Sequence, residues 1–419
     1  MTAAEGASAA DASSDAPPRR IRLSTLVVLG LMGAFGPLAM DVYIAALPQL
    51  GAELHASDAA VQATVSTCLL GLAGGQLIAG PVSDRIGRRP TLLIGTALFL
   101  VASMLCAIAP DIWTLIACRV LQGVAGATGI AVSRAAIRDH FEGSEVARVL
   151  AQLTVITGVA PIAAPLIGGG LTLVTDWRGI FVVLGVIGGV LFLAVLIWVP
   201  ESLKPEHRLS HGFGAVFRQF GVLFRDPLFL RFALVGAAAG GAFFSYISMT
   251  SIVLQGEYRV SPVVFSLLFG INAAALIAGA QVNALLIPRV GVRRLLAAVL
   301  GLAVLAAGLV VVFAGLGLPL AVVQTTVGIA LVANGMQSPN STALALAHYA
   351  KGAGTASAMQ GGLSFVVGAI VPPIVAGVFG TSAVSMGATM GVCSLVALVL
   401  SLGRDSLSRR PVAAGPAAR

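Results

Sequence analysis

The feature that most limits what this chain can fold into is a succession of apolar stretches, each about 20 residues long, nearly free of charge and separated by short polar turns. A hydrocarbon layer about 30 Å thick is crossed by a helix of about 20 residues, and only helices and closed barrels satisfy their own backbone there. That ruler predicts twelve spans over residues 23–47, 59–82, 91–109, 112–136, 146–174, 178–199, 228–253, 262–287, 294–314, 319–343, 354–378 and 381–402. The fifth is the longest, which suggests a tilt or a kink. Barrel strands alternate apolar and polar residues, so continuous apolar runs exclude a barrel. With 58% apolar and only 10% charged residues, against about 25% charged in a soluble domain, neither a water-soluble fold nor extensive disorder fits. The 50 glycines suit closely packed membrane helices.

The net charge of +8 does not point to nucleic acid, because position explains it. Nearly all 25 Lys and Arg fall in loops or tails on one side, leaving Arg178 and Arg259 opposite and Arg119 inside a span. The positive-inside bias therefore puts both termini in the cytoplasm. Residues 1–22 lack the apolar core of a cleavable signal and are expected to form a disordered cytoplasmic tail, with the first span as signal anchor. Residues 23–199 form a first six-helix half, 200–227 a polar central loop, 228–402 a second half and 403–419 a second tail. The turn Arg85-Ile86-Gly87-Arg88-Arg89 recurs as Arg289-Val290-Gly291-Val292-Arg293, which supports two homologous halves. Cys68, Cys106, Cys118 and Cys393 lie in spans and read as packing residues.

Of 25 basic and 17 acidic residues, only Asp41 and Arg119 fall well inside the hydrocarbon. Each costs about 2.5–3.5 kcal/mol there on insertion scales, so each needs a reason to persist. Counted from the outer helix ends, they sit at about one depth. Two readings stand: a carboxyl that exchanges its proton under the influence of the guanidinium, or a static ion pair that locks two helices. Gly33, Gly36 and Pro37 ahead of Asp41 suggest a loosened helix that lines a cavity. The repeat places Ser245 and Val323 at the corresponding positions of the second half, so proton chemistry is expected in the first. Candidate substrate contacts are Phe243, Tyr246, Met249, Asn272, Asn334, Gln337 and Gln360, joined by Tyr43 and Gln122. All of these also suit helix packing.

Gly80-Pro81-Val82-Ser83-Asp84-Arg85-Ile86-Gly87-Arg88-Arg89-Pro90 combines turn-forming glycines with charges able to hold headgroups or carboxylates such as Asp139 and Glu142. Asp84 is also placed to dock on the N-terminus of span eleven near Gly354–Ser357. This stretch resembles motif A of the major facilitator superfamily. Leu115, Arg119, Gln122, Gly123, Gly126 and Ala127 resemble its motif B, in which the arginine serves proton transfer. Gly158, Pro161, Pro165, Gly168 and Gly169 resemble motif C, the antiporter signature, with Ala164 where the family has Gly. Asp41-Val42-Tyr43-Ile44-Ala45-Ala46-Leu47-Pro48, with Ala45 in place of a usual Pro, resembles the twelve-span drug:proton antiporters of the bicyclomycin and chloramphenicol resistance (Bcr/CflA) branch. Gly352-Ala353-Gly354-Thr355-Ala356-Ser357 and Gly368-Ala369 resemble it too.

The resemblance implies an all-α membrane protein of twelve helices in two pseudo-symmetric six-helix halves. It implies a monomer that exports drug-like molecules against inward proton flow, with Asp41 and Arg119 as the proton-coupling pair. Gly80, Asp84, Arg85, Gly87, Arg88 and Arg89 would gate, and the motif C glycines would let span five approach a neighbour. No cofactor is expected, since the proton gradient drives the cycle. A proton-linked uptake symporter is the alternative, distinguished by the direction of substrate movement. His207 and His211 lack an acidic or Cys partner for metal, and no nucleophile–base pair or phosphate loop argues for an enzyme.

Overall fold

The computed structural model describes residues 22–141, 144–208, 214–347, 349 and 353–403. Glu142, His211, His348, Lys351, Gly352 and both expected tails, except for Arg22 and Gly403, lie outside the described residues. Among those described, every regular element is helical. The order is α1 (Leu23–Asp41), α2 (Leu47–Glu53), α3 (Asp58–Ile86), α4 (Arg88–Ala107), α5 (Ile112–His140), α6 (Ser144–Leu171), α7 (Trp177–Trp198), α8 (Gly214–Arg225), α9 (Pro227–Ile252), α10 (Pro262–Val290), α11 (Val292–Gly315), α12 (Leu320–Leu346), α13 (Ala353–Phe379) and α14 (Ala383–Leu402). Ten of these are individually long and apolar enough to cross a bilayer, and α1 with α2 makes an eleventh, bent span. Helix α6, 28 residues long, occupies the expected place of span five.

Helix starts follow from their caps. The side chains of Ser57, Asp111, Asp176, Asp226, Ser261 and Ser382 accept backbone N–H bonds at the heads of α3, α5, α7, α9, α10 and α14. Asp111 accepts at 2.9 Å from both Trp113 and Thr114 N–H and also from the Thr114 hydroxyl, which holds its carboxyl below the usual carboxylate range. The repeated turn has a backbone reason. Gly87 (φ +111°) and Gly291 (φ +83°) each end one helix and directly precede the next, in a conformation that residues with a Cβ rarely adopt.

Three expectations about length are corrected. The first span does not stop near residue 47, because α2 carries it to Glu53, where the carboxylate takes a bond from the Trp177 indole (2.8 Å) and pairs with Arg178 (3.2 Å). The fifth span is not exceptional either: α3, α5 and α10 have 29 residues each and run past the hydrocarbon until a turn glycine or polar segment ends them. The central stretch 200–227 is not all loop, for it contains the 3-10 turn Pro205–His207 and helix α8.

Helix packing repeats across the chain. Helices α3 with α5 and α10 with α12 cross closely enough that an added Cβ on Gly71, Gly123, Gly279 or Gly335 would lie 2.0–2.3 Å from a backbone carbonyl of the partner helix. Helices α4 with α7 and α11 with α14 form outer pairs, and their free faces carry exposed Val101, Val186, Leu305 and Val399, as lipid contact demands. Between the halves, α3 packs on α13 and α6 on α10.

Candidate functional site

The site is built around a break in the first span. Its axis bends by 43° between Leu23–Gly36 and Leu38–Glu53, with Pro37 at the join. Helix α1 ends at Asp41, and a 3-10 turn, Ile44–Ala46, leads into α2. A broken helix exposes carbonyls that lipid cannot satisfy, and here side chains do so. Ser251 Oγ donates to the Ile44 carbonyl (2.6 Å), Gln255 Nε2 to Ala45 (3.0 Å) and Arg119 Nη1 to Ala39 (3.5 Å). Two of those donors come from α9 and its extension, so the break is also a joint between the halves. Motif C backs it: a Cβ on Gly168 would stand 1.9 Å from the Val42 carbonyl oxygen, and one on Gly169 2.1 Å from Ser266 Oγ of α10. Gly158, Pro161 and Pro165 lie on the same helix, Pro161 facing the central cavity.

That cavity, about 270 Å³ in volume, lies between the halves. Asp41 is the single charged residue on a wall otherwise made mostly of Met40, Leu69, Leu72 and the rings of Phe243, Phe244, Tyr246, Phe269 and Phe365. The carboxyl is 4% exposed, makes no hydrogen bond or ion pair among the described residues, and has a fully enclosed Oδ1. Tyr246 stacks on Phe269 with 5.5 Å between centroids and accepts a bond from Asn272 Nδ2 (2.9 Å). A second cavity of about 300 Å³ adjoins the first through Phe243, Phe244 and Phe365, and Asn334, Gln337 and Gln360 line it.

Arg119 is placed differently from expectation. It is fully buried and adjacent to the break, but it forms no ion pair with Asp41. Two backbone carbonyls and one side chain compete for it instead: Nε donates to Thr64 O of α3 (3.2 Å), Nη1 to Ala39 O beside the break and to Gln122 Oε1, and Cζ lies 4.2 Å from the centroid of Tyr43. Gln122 in turn donates to Ser103 (2.8 Å), and the Tyr43 hydroxyl bonds Thr64 (2.9 Å). Tyr43 and Gln122, expected as substrate contacts, thus support the arginine and face neither of these two cavities. Met249 is fully buried and also stands off them. Phe243, Tyr246, Asn272, Asn334, Gln337 and Gln360 are brought to cavity walls.

On the face that carries Gly87 and Gly291, Arg88 bridges Asp84 and Asp139, with 2.8 Å from Nε to Asp139 Oδ2. Asp84 does not dock on α13, because the nearer guanidinium takes it; a cavity of about 590 Å³ separates it from Gly354 and Thr355. Arg89 caps the Leu196 carbonyl (2.7 Å), Gly80 lines the same cavity and Arg85 lies in the last turn of α3. Sequence reasoning missed Glu201, whose carboxylate accepts the N–H groups of Arg88 (2.9 Å) and Arg89 (3.3 Å) at the head of α4. A glutamate so far along the chain gave no local signal. The opposite face is closed by the Ser251 and Gln255 bonds and by Gln62 Nε2 to Thr381 (2.9 Å).

Comparison with known proteins accords with this geometry. Residues 29–373 match the sequence model of the family described as Major Facilitator Superfamily. An "Uncharacterized MFS-type transporter YdgK" of Bacillus subtilis is 38% identical over 92% of this chain and 96% of its own length. A "Bicyclomycin resistance protein homolog" of Haemophilus influenzae is 28% identical over 89% and 94%. Among solved structures, a bacterial homologue of the human lysosomal transporter Spinster, inward-facing and unoccupied, superposes with a TM-score of 0.67 at 16% identity, covering 90% of this chain and 96% of that one. The chain belongs to the Major Facilitator Superfamily of multi-pass membrane transporters, in the bicyclomycin and chloramphenicol resistance branch that its motifs resemble.

Proposed function

We propose that this protein is a proton-coupled antiporter that exports drug-like molecules across the bacterial inner membrane as a monomer, by alternating access, with the proton gradient as its only energy source. The observation that carries the reading is Asp41: a buried carboxyl without a partner, the one charged group on the largely apolar wall of a cavity between the halves. An ionised carboxylate there costs far more than a protonated one, so the side chain favours proton uptake unless something compensates its charge. Protonation would favour release of substrate outward, and loss of the proton to the cytoplasm would restore affinity. Arg119 would act through the broken span, since it grips the carbonyl two residues before Asp41 and keeps one buried Nη2 without a partner. The names of relatives, among them a "Multidrug resistance protein D" of Escherichia coli and a "Chloramphenicol resistance protein" of Pseudomonas aeruginosa, support export of drugs.

In this reading the Gly87 face, with both termini, is cytoplasmic, and the protein is caught facing inward. The cytoplasmic cavity between Asp84 and α13 would close as motif A latches the outward-facing state. Purified protein in proteoliposomes should show substrate movement driven by a pH gradient, and Asp41→Asn should abolish it. Full gradient-driven export by that variant would refute the reading, and accumulation on the cytoplasmic side would favour uptake instead.

A further inference from the structure

Resting on the reading of this chain as a drug transporter, we infer that the second cavity is a subsite for the neutral hydrogen-bond donors of the substrate, its hydroxyl or amide N–H groups, while the Asp41 cavity takes the apolar part. The two regions are chemically unlike. The second cavity has no ionisable lining residue, and two of its side chains, Gln337 (3% exposed) and Gln360 (5% exposed), each bury an amide oxygen with no hydrogen-bond partner. An orphaned buried acceptor costs about 1–3 kcal/mol, so two on one wall call for a donor from outside.

No neighbouring hydroxyl bonds either oxygen, Ser338 and Ser357 of the same wall included. Ser341 and Thr342 each give their hydrogen to the Ser338 carbonyl (3.0 Å in both cases), and Ser364 gives its own to the backbone at Gln360 or Gly236 (3.1 and 3.2 Å). Gln360 Nε2 donates to Thr342 Oγ1 (3.2 Å), whose hydrogen is already committed. In this orientation the amide gives Nε2 to Thr342 and leaves Oε1 without a partner. The two amide oxygens are left unpartnered by every group on the wall, and a ligand satisfies them by bringing O–H or N–H groups. Phe243, Phe244 and Phe365 join this region to the Asp41 cavity, with ring centroids 5.3 and 5.5 Å apart, so one molecule can use both. Helix α9 makes the space by carrying Gly236 here, where an added Cβ would meet Gln360 Nε2 at 2.8 Å.

The test is equilibrium binding to the full chain in nanodiscs, without any gradient, using chloramphenicol, which has two hydroxyls and an amide N–H, and its dimethyl ether, in which both hydroxyls are masked. Wild type should prefer the diol by about tenfold, as one or two neutral hydrogen bonds allow. Gln337→Leu and Gln360→Leu should each weaken diol binding several-fold and leave the ether unchanged. Gly236→Ala, which removes no polar group and only pushes the Gln360 amide aside, should act in the same direction and guards against misfolding of the leucine variants. Equal binding of diol and ether by wild type, binding of neither, or a diol preference that survives all three substitutions would overturn the subsite. A diol preference in a protein that exports nothing would support the subsite and count against export alone.

Discussion

Replacing Gly168 by alanine tests whether the break at Asp41 depends on close approach of α6. The added Cβ would lie 1.9 Å from the Val42 carbonyl oxygen, whereas ordinary contact begins at 3.4 Å. Helix α6 and the turn after Asp41 would therefore have to separate by roughly 1 Å or more, and overpacking of that kind costs about 1–3 kcal/mol. Alanine returns about 0.5–1 kcal/mol of helix preference, leaving a net loss of up to about 2.5 kcal/mol. Gly170, two residues on, is a matched control, because nothing lies within 4 Å of a Cβ built there. Melting of the purified protein and drug uptake into everted vesicles should therefore show Gly168→Ala destabilised and at least tenfold slower, with Gly170→Ala as stable as wild type or slightly more so. Identical behaviour of the two variants would show that the contact between α6 and the break does not matter.

Three further outcomes follow from the same geometry. Glu201→Gln weakens the cap on α4 and should lower stability by about 1 kcal/mol in chemical or thermal denaturation, while Glu206→Gln, at an exposed position, should not. Removing two of the three cross-half donors on the face opposite Gly87, with Ser251→Ala and Gln255→Leu, should shift the population toward a state open on that face, read as increased spin-label separation across it; unchanged distances would show that these bonds do not hold it shut. Asp111 titrates low in the folded state because helix N–H groups stabilise its anion, so its contribution is present above the ordinary carboxylate range and lost as pH falls through the depressed value. Fluorescence of Trp113 should report loosening of the α5 start in strong acid, and Asp111→Asn should remove that transition.

The apolar periodicity was enough to locate the spans, because helix length is set by bilayer thickness and the turns carry Gly, Pro and charge. It could not locate the ends of α3, α5 and α10, which continue into water where hydropathy has no say. Asp41 was legible as a lone intramembrane acid. Its separation from Arg119 was not, since the arginine is held by the Gln122 side chain and by main-chain carbonyls at Thr64 and, beside the break, at Ala39, and a backbone acceptor leaves no mark in the residue string. Glu201 under Arg88, and the orphaned oxygens of Gln337 and Gln360, depend on side-chain geometry across α9, α12 and α13 that spacing does not encode.

The most direct measurement is the number of protons released when substrate binds to purified protein in weakly buffered detergent solution, followed over pH 6–9. A carboxyl at position 41 that carries the coupling should give a pH-dependent release approaching about one proton per transporter, and none in Asp41→Asn. Substrate binding with no proton release at any pH in wild type, or the same release in the variant, would contradict the account.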